Sequence, residues 1–193
     1  MAENLRFLPA GSDGLLVELD ALEPTLALLD RMQAQPLRGV MDLVPGARTL
    51  LVRFDPLFTD RAELLDTISS LDLAGYIERR GDAFEIPVVY DGEDLADVAA
   101  LLGWSPDELV RRHAATTYTV AFTGFAPGFA YMTCDDPAFD VPRRSSPRVR
   151  IPAGSVALGG RFCGIYPSET PGGWQLLGRT PLAMWDTRRP RAA

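Results

Sequence analysis

The chain has 193 residues, of which 47% are hydrophobic and 23% are charged, and its formal net charge is −7. All 19 basic residues are arginine, so this sequence lacks the lysine that a P-loop, a Schiff-base enzyme or a biotin carrier requires. The acidic balance also excludes nucleic acid as the main partner, because contacts to phosphates need a basic face.

Metal-binding and thiol residues are few in this sequence. It contains a single histidine, His113, and two cysteines, Cys134 and Cys163. These are too few for a recognisable zinc site or a disulfide framework, so we expect no metal site and a reducing compartment. The N-terminal residues do not have the pattern of a signal peptide, and no apolar run approaches the roughly 20 residues of a membrane span. We therefore predict a cytoplasmic protein with no membrane partner.

The N-terminal part of the chain alternates strand-like and helix-like patterns. In chain order, these patterns predict a strand at Gly14–Leu19, a helix from Leu22 to Met32, a hairpin of Val40–Val44 and Thr49–Phe54, and a helix capped by Asp60. The β-α-β-β-α order is typical of a small split-βαβ sandwich over residues 1–82. The charged segment Glu78–Asp82 is the predicted linker.

The C-terminal part, residues 83–193, begins with a strand and two helices and continues with β structure. The predictions are a strand at Phe84–Tyr90, a helix at Leu95–Leu102 and a helix that Ser105 caps, with Pro106 in its first turn. After Tyr118 the helical periodicity ends, and short apolar runs alternate with glycine and proline. That pattern predicts a β-barrel or a β-sandwich.

Three stretches of the C-terminal part are rich in glycine, proline and aromatic residues. They are FTGFAPGFAYM (Phe122–Met132), PRRSSPRVRIPAGSVALGG (Pro142–Gly160) and GIYPSETPGGWQLLGRTP (Gly164–Pro181). Glycine lets a backbone approach a ligand closely, and proline fixes a turn. A rigid irregular backbone with free N–H groups is one way to hold an anion without lysine. Ordinary turns of a β domain have the same composition, so both interpretations stay open at this point.

A few polar side chains in or before these stretches are candidates for chemistry. Arg148 and Arg150 lie two residues apart on a predicted strand, so they would point the same way and form a clamp on a carboxylate or phosphate; a solvated strand face is the alternative. His113 ends a predicted helix and is either an acid/base group or a surface residue that compensates the helix dipole. Glu169 is either a turn carboxylate or a general base.

Taken in order, the segments GFAPGFAYM, PRRSSPRVRIPAGSVALGG and GIYPSETPGGWQLLGRTPLAMWD resemble the B-subunit family of bacterial 5-oxoprolinase. That family is also called allophanate hydrolase subunit 1 or KipI-type proteins, and it is related to the carboxyltransferase region of urea carboxylase. The resemblance extends from FLPAGSDGLLVEL near the N-terminus to Trp185-Asp186. It implies an α+β fold with an N-terminal ferredoxin-like domain, residues 1–82, and a cyclophilin-like β-barrel domain, residues 83–193.

The resemblance also implies an activity and partners. The activity is hydrolysis: ATP-dependent opening of the 5-oxoproline lactam to glutamate. Family members act with a homologous C-subunit (KipA-type, or allophanate hydrolase subunit 2) and a separate A-subunit, so we expect a hetero-oligomer, with ATP bound here or by the partner. The family pattern continues beyond TRRPRAA with a further strand, and an unclosed barrel edge favours pairing with another chain. The alternatives are an inhibitor of a sensor histidine kinase and a carboxyltransferase-like component of a urea or allophanate pathway enzyme.

Position within the family motifs assigns roles to individual residues. The resemblance implies an acid/base role for His113 and an anion-binding role for Arg148. It implies binding of a small carboxylate substrate by Gly124, Phe125, Pro127, Gly128, Phe129, Arg150, Gly154, Ser155, Glu169, Gln175 and Arg179. In this interpretation the glycines of FTGFAPGFAYM bring backbone N–H groups to the ligand, and the two phenylalanines wall the pocket.

Overall fold

The structure is a computed structural model that describes residues 5–74 and 81–188. The chain divides into two compact units, residues 1–82 and residues 83–193. Within the described ranges, every helix is too short or too polar to span a lipid bilayer. The predicted linker at residues 78–82 lies largely outside the described residues.

The first unit is a four-stranded antiparallel sheet with two helices. Its strands stand in the order β1-β2-β4-β3. In chain order the elements are β1 Arg6–Pro9, β2 Gly14–Glu18, α1 Leu22–Ala34, β3 Val40–Pro45, β4 Thr49–Phe54 and α2 Arg61–Ser69. The predicted β-α-β-β-α order is confirmed. Strand β1 comes in addition, because a run of 4 residues that ends in proline carries too little pattern to predict a strand.

The core of this unit lies between the helices and the central strands. Side chains with no exposed surface are Val17, Leu28, Leu50, Val52 and Ile68. Burying each such aliphatic side chain stabilises the fold by about 1.5–3 kcal/mol relative to exposure, so these contacts hold the sheet and helices together. Asp60 caps α2 as predicted, since its side chain accepts a hydrogen bond from the Glu63 N–H at 3.0 Å.

The segment Phe84–Tyr90 is not the regular strand that its apolar run predicts. Every second side chain from Ile86 onward does pack against the core of the second unit, as in a strand. However, Val89 alone forms a β-bridge within the described part of this segment, with Arg179. Pro87 has no N–H to donate to a ladder. The prediction of a strand is therefore wrong: this segment is extended and half-buried but is not a member of a sheet.

Both predicted helices of the second unit are present. They are α3 Leu95–Leu101 and α4 Pro106–Ala115. Ser105 caps α4, because its hydroxyl accepts a hydrogen bond from the Glu108 N–H at 3.1 Å. Gly103, with a φ of 70°, makes the tight connection between the two helices.

The remainder of the unit consists of short antiparallel strands. They are β5 Thr119–Thr123, β6 Ala130–Thr133, β7 Arg148–Ile151, β8 Ser155–Gly159, β9 Phe162–Ile165, β10 Thr170–Gly172 and β11 Gln175–Arg179. Five of them form a sheet in the order β11-β8-β9-β6-β5, and β10 pairs with β7. The described strands do not close into the predicted barrel, because β7 and β10 pair with each other and leave β5 and β11 as the edges of an open sheet. The antiparallel β-rich character is confirmed.

Candidate functional site

The stretch FTGFAPGFAYM forms the end of β5, a tight loop and β6. The Gly124 N–H closes the loop by donating to the Phe129 carbonyl at 3.2 Å. Phe125 has a positive φ of 67°, which is uncommon for a residue other than glycine. Gly128 has a φ of 80°, and a Cβ there would lie 2.7 Å from the Met184 carbonyl oxygen. The loop therefore needs Gly128 for backbone conformation and close approach.

Aromatic side chains of this loop and of the third glycine-rich stretch enclose a small cavity. Its volume is about 120 Å³, below the roughly 300–1,000 Å³ of pockets for drug-sized ligands, so it suits a small molecule. The ring centroid of Phe129 lies 5.4 Å from that of Tyr166 and 5.5 Å from that of Trp174, edge to face. The aromatic lining residues are Phe125, Phe129, Tyr131, Tyr166 and Trp174, and Arg143, Pro171, Gly172 and Gly173 complete the lining.

Glycines behind these walls make room for the rings. A Cβ at Gly164 would lie 2.9 Å from ring atoms of both Phe129 and Trp174, and one at Gly172 would lie 2.6 Å from the Tyr166 hydroxyl. Any side chain at these positions would push the rings into the cavity or apart. These two glycines therefore serve ring packing and were not among the predicted site residues.

A buried carboxylate, Asp94, organises the segment that precedes β7. Arg148 donates to both of its oxygens, at 2.8 and 2.9 Å, and also binds Glu93. Arg144 donates to Asp94 at 2.5 Å, and the Leu176 N–H does so at 2.7 Å. Burial alone would raise the pKa of Asp94, but the hydrogen bonds from Arg148 and Leu176 outweigh it and hold that pKa below its usual value. The guanidinium of Arg148 is thus committed to holding the fold.

Other predicted polar residues pair with neighbours at the surface. Arg150 forms an ion pair with Glu169 at 2.6 Å, and their side chains are 73% and 49% exposed. Arg148 and Arg150 therefore contact different carboxylates, and the structure does not bring them together as one clamp. Arg179 pairs with Asp91 at 2.9 Å.

Three further candidates hold turns together. Gly154 has a φ of 82°, and a Cβ there would lie 2.5 Å from a backbone carbonyl oxygen. The Ser155 hydroxyl donates to the Pro152 carbonyl at 2.8 Å, and the Gln175 amide donates to the Pro142 carbonyl at 3.1 Å. These contacts fix the backbone near the cavity, but Gly154, Ser155 and Gln175 do not line it.

His113 lies in the core of the second unit, with 6% of its surface exposed. Its Nδ1 is 2.8 Å from the Tyr90 hydroxyl, and its Nε2 is 3.6 Å from the Cys163 sulfur. The rings of Tyr118 and Phe139 pack on it at centroid distances of 5.1 and 5.8 Å. Burial lowers the pKa of His113 to about 4, so the imidazole is neutral at pH 7. The interpretation as a charged surface residue at a helix end is therefore wrong, and the residue does not line the cavity.

Comparison with known proteins identifies the family. The family model described as carboxyltransferase domain, subdomain C and D, matches residues 5–193. The chain is 40% identical over 158 residues to the 5-oxoprolinase B-subunit of Escherichia coli O157:H7, covering 78% of this chain and 71% of that protein. It is 36% identical over 171 residues to the 5-oxoprolinase B-subunit of Bacillus subtilis (strain 168), covering 80% and 70%. The chain belongs to the 5-oxoprolinase B-subunit family.

Solved structures resemble this family member in fold. The crystal structure of TTHA0988 matches with a TM-score of 0.74 and 35% identity over 93% of this chain, which spans only 37% of that protein. PH0987 from Pyrococcus horikoshii matches with a TM-score of 0.56 and 33% identity, covering 97% of this chain and 91% of that one. The K. lactis urea amidolyase, at 18% identity and a TM-score of 0.72, shows a common fold with part of a much larger chain.

The structure adds site residues to those that the family motifs indicate. Of the predicted loop residues, Phe125 and Phe129 line the cavity, whereas Gly124, Pro127 and Gly128 do not. Two other lining residues lie in motifs that the sequence analysis quotes: Arg143 in PRRSSPRVR and Trp174 in PGGWQLLGRTP. Considering every arginine and aromatic residue of these motifs as a candidate would have included both. The cavity-lining residues that the sequence analysis does not include are Tyr131, Arg143, Tyr166, Pro171, Gly172, Gly173 and Trp174, and it also does not include the buried Asp94.

A metal ion has no recognisable set of ligands in the described residues, and the aromatic cavity does not suit ATP. No group of three or more His, Cys, Asp or Glu side chains in residues 5–74 and 81–188 could hold a metal ion. A nucleotide triphosphate requires several cationic or N–H contacts. The cavity of about 120 Å³ offers a single guanidinium, so ATP does not fit it.

Proposed function

We propose that this chain is the B-subunit of a 5-oxoprolinase, a hydrolase that opens the lactam of 5-oxoproline to glutamate with consumption of ATP. The observation that carries this proposal is the similarity to three proteins that bear the name of the 5-oxoprolinase B-subunit. They are 36% to 40% identical to the chain, and the matched region covers 70% to 74% of their lengths.

The domain architecture is that of the proposed hydrolase component. Residues 1–82 correspond to a ferredoxin-like domain, supported by the four-stranded antiparallel sheet and two helices of the first unit. Residues 83–193 correspond to a cyclophilin-like β-barrel domain, supported by the antiparallel sheet that ends in β5 and β11. The outer edge of β11 already receives hydrogen bonds from Val89, Gly92 and Asp94, so β5 is the edge at which a strand from elsewhere in the assembly would add to the sheet.

The enzyme assembles from this chain, a homologous C-subunit and a separate A-subunit. The second unit exposes large apolar side chains that an interface would bury, among them Val149 at 92%, Phe84 at 81% and Phe125 at 60%. In this proposal ATP binds away from the aromatic cavity, on this chain or on a partner protein, because the cavity lacks the contacts that a triphosphate needs.

The substrate binds in the aromatic cavity, where Phe125 and Phe129 wall the site. The two predicted catalytic residues, His113 and Arg148, lie outside the lining of this cavity and act as positioning residues. Arg148 holds Asp94, which also receives the Leu176 N–H just beyond Trp174. His113 packs in the core among Tyr90, Tyr118 and Phe139, and its Nε2 contacts Cys163 on β9 of the five-stranded sheet.

Reconstitution tests the proposed function. The full chain is co-expressed with the proteins encoded beside its gene, and ADP and glutamate release from 5-oxoproline are followed together. We expect a stable complex on size exclusion and coupled release of both products, lost when this chain is omitted. Separate elution at micromolar concentrations, with turnover unaffected by omission of this chain, would contradict the proposal.

A second candidate is a carboxyltransferase-like component of a urea or allophanate pathway enzyme. The description of the matching family model and the fold shared with urea amidolyase favour it. Biotin would then be carried by another protein, because this chain has no lysine to modify. Transfer of a carboxyl group from a carboxybiotin-loaded carrier to urea by the assembled complex, without glutamate release from 5-oxoproline, would select this function over the first.

A further inference from the structure

Arg143 is the one side chain with a full charge that lines the aromatic cavity, among the residues described. Its guanidinium carbon lies 5.7 Å from the centroid of the Trp174 ring, within the range of a cation–π contact. Its charge also reaches the neighbouring hydroxyls: burial raises the pKa values of Tyr131 and Tyr166, and Arg143 opposes both shifts. A positive charge therefore faces a cavity that has no acidic side chain in its lining.

The neighbouring arginines already have carboxylate partners. Arg144 and Arg148 bind Asp94, at 2.5 and 2.8 Å. Arg150 binds Glu169 at 2.6 Å. Within residues 5–74 and 81–188, no carboxylate lies within ion-pair distance of the Arg143 guanidinium. Arg143 is thus the arginine of this segment that is available to an external anion.

The backbone around Arg143 is fastened to the backbone around Trp174. The Arg144 N–H donates to the Gly173 carbonyl at 2.8 Å. The Gln175 amide donates to the carbonyl of Pro142 at 3.1 Å. The two hydrogen bonds therefore join the residues before and after Arg143 to the residues after and before Trp174. A ligand would meet a buried indole and an arginine whose main chain is held in place before it binds, which lowers the entropic cost of binding.

We propose that Arg143 binds the carboxylate of a small ring-shaped acid in the aromatic cavity, while the rings of Phe129, Tyr166 and Trp174 pack against the ring of that acid. The identity of the acid as 5-oxoproline rests on the proposed function. A planar guanidinium matches a carboxylate through two parallel hydrogen bonds, and apolar walls match a small ring. The size of the cavity, its single cation and its lack of acidic side chains all fit this class of ligand.

Calorimetric titration of the assembled complex with 5-oxoproline tests this role. The Arg143→Ala variant should lose about tenfold or more in affinity, because a charge-assisted hydrogen bond is removed. Arg143→Lys should not restore affinity, since an ammonium lacks the planar fork. The wild-type complex should bind 2-pyrrolidone, which has the same ring without the carboxylate, as weakly as Arg143→Ala binds 5-oxoproline. Arg111→Ala, which removes an equal charge on α4 where Arg111 pairs with Glu108, should bind like the wild type.

The outcomes separate this inference from the proposed function. If the complex hydrolyses 5-oxoproline and Arg143→Ala keeps the wild-type affinity and KM, the role of Arg143 is overturned while the proposed function stands. If the complex does not hydrolyse 5-oxoproline, benzoate serves as the probe for a ring-shaped carboxylate. Benzoate binding that depends on Arg143 would then support the site while the proposed function fails, and binding independent of Arg143 would overturn the site.

Discussion

The imidazole of His113 has its Nδ1 beside the Tyr90 hydroxyl and its Nε2 beside the Cys163 sulfur. Burial lowers its pKa to about 4, whereas the unfolded chain titrates near the ordinary value of about 6.5. Because the folded pKa is depressed, the unfolded state takes up the proton first on acidification. The resulting stability is present above pH ~6.5 and is lost as the pH falls toward ~4.

Replacing His113 with glutamine should flatten the dependence of stability on pH. Between pH ~6.5 and ~4 the wild type should lose more free energy of unfolding than the variant, with a difference on the order of 3 kcal/mol. At pH 7 the variant itself should be less stable by about 1–3 kcal/mol, because a buried hydrogen bond is lost. Urea denaturation at a series of pH values measures both effects. Parallel curves for the two proteins would contradict the buried neutral imidazole.

Removing Arg148 should destabilise the fold more than removing Arg150. Arg148 is 16% exposed and its partner Asp94 only 2%, so Arg148→Ala leaves a buried carboxylate with Arg144 as its remaining cation. We expect a loss of about 3 kcal/mol in the free energy of unfolding. Arg150→Ala is the matched control, since its ion pair is largely exposed and should contribute about 0–1 kcal/mol. If urea denaturation showed that both variants lose the same free energy of unfolding, the ion pair of Arg148 with the buried Asp94 would not be a main source of stability.

At the scale of elements, the loop between β5 and β6 depends on one glycine for two separate reasons. Gly128 has a positive φ of 80°, and a Cβ there would also lie 2.7 Å from the Met184 carbonyl oxygen. Gly103 has a positive φ of 70° with open space around it. The pair therefore distinguishes the cost of backbone conformation from the cost of close packing.

Gly128→Ala should lower stability clearly more than Gly103→Ala. An alanine in the left-handed region costs about 1–2 kcal/mol, which is the full expected effect at Gly103. At Gly128 overpacking should add about 1–3 kcal/mol. Thermal and urea denaturation of the two variants provide the comparison. A Gly128→Ala variant no less stable than Gly103→Ala would mean that the loop moves away from Met184 without cost.

Elements whose determinants are local could be predicted from the sequence. The spacing of leucines predicts α1, and Ser105 with Pro106 predicts the start of α4. The prediction of a strand at Phe84–Tyr90 is wrong because alternation of side chains indicates an extended backbone but not a partner strand. Strand pairing depends on residues that are distant in sequence. In this segment, as described, Val89 is the one residue that forms a β-bridge, and its partner is Arg179.

At the scale of the whole molecule, contacts between distant residues limited the prediction of the site. Two residues of the predicted loop, Phe125 and Phe129, line the aromatic cavity. The partners of the arginines could not be inferred, because Asp94 lies 50 residues from Arg144 and 54 from Arg148 in sequence. A sequence pattern cannot tell a guanidinium that is neutralised inside the fold from one that is available to a ligand.

The two compact units should fold independently of each other. Each has its own cluster of buried apolar side chains, centred for example on Leu50 in the first unit and on Leu158 in the second. We expect residues 1–82 and residues 83–193, expressed separately, each to unfold cooperatively and to show dispersed amide signals in NMR. A segment without a cooperative transition would show that its core needs the rest of the chain.

Trp174 gives the cavity an optical reporter of its own. The indole is 5% exposed and lies beneath the Arg143 guanidinium, whereas Trp104 packs against Phe139 and Trp185 is 41% exposed. With Trp104 and Trp185 replaced by phenylalanine, fluorescence would come from Trp174 alone. A ligand that displaces water from the indole and draws the guanidinium toward itself should shift the emission to shorter wavelength and change its intensity. Occupancy of the cavity could then be followed during turnover without an attached dye.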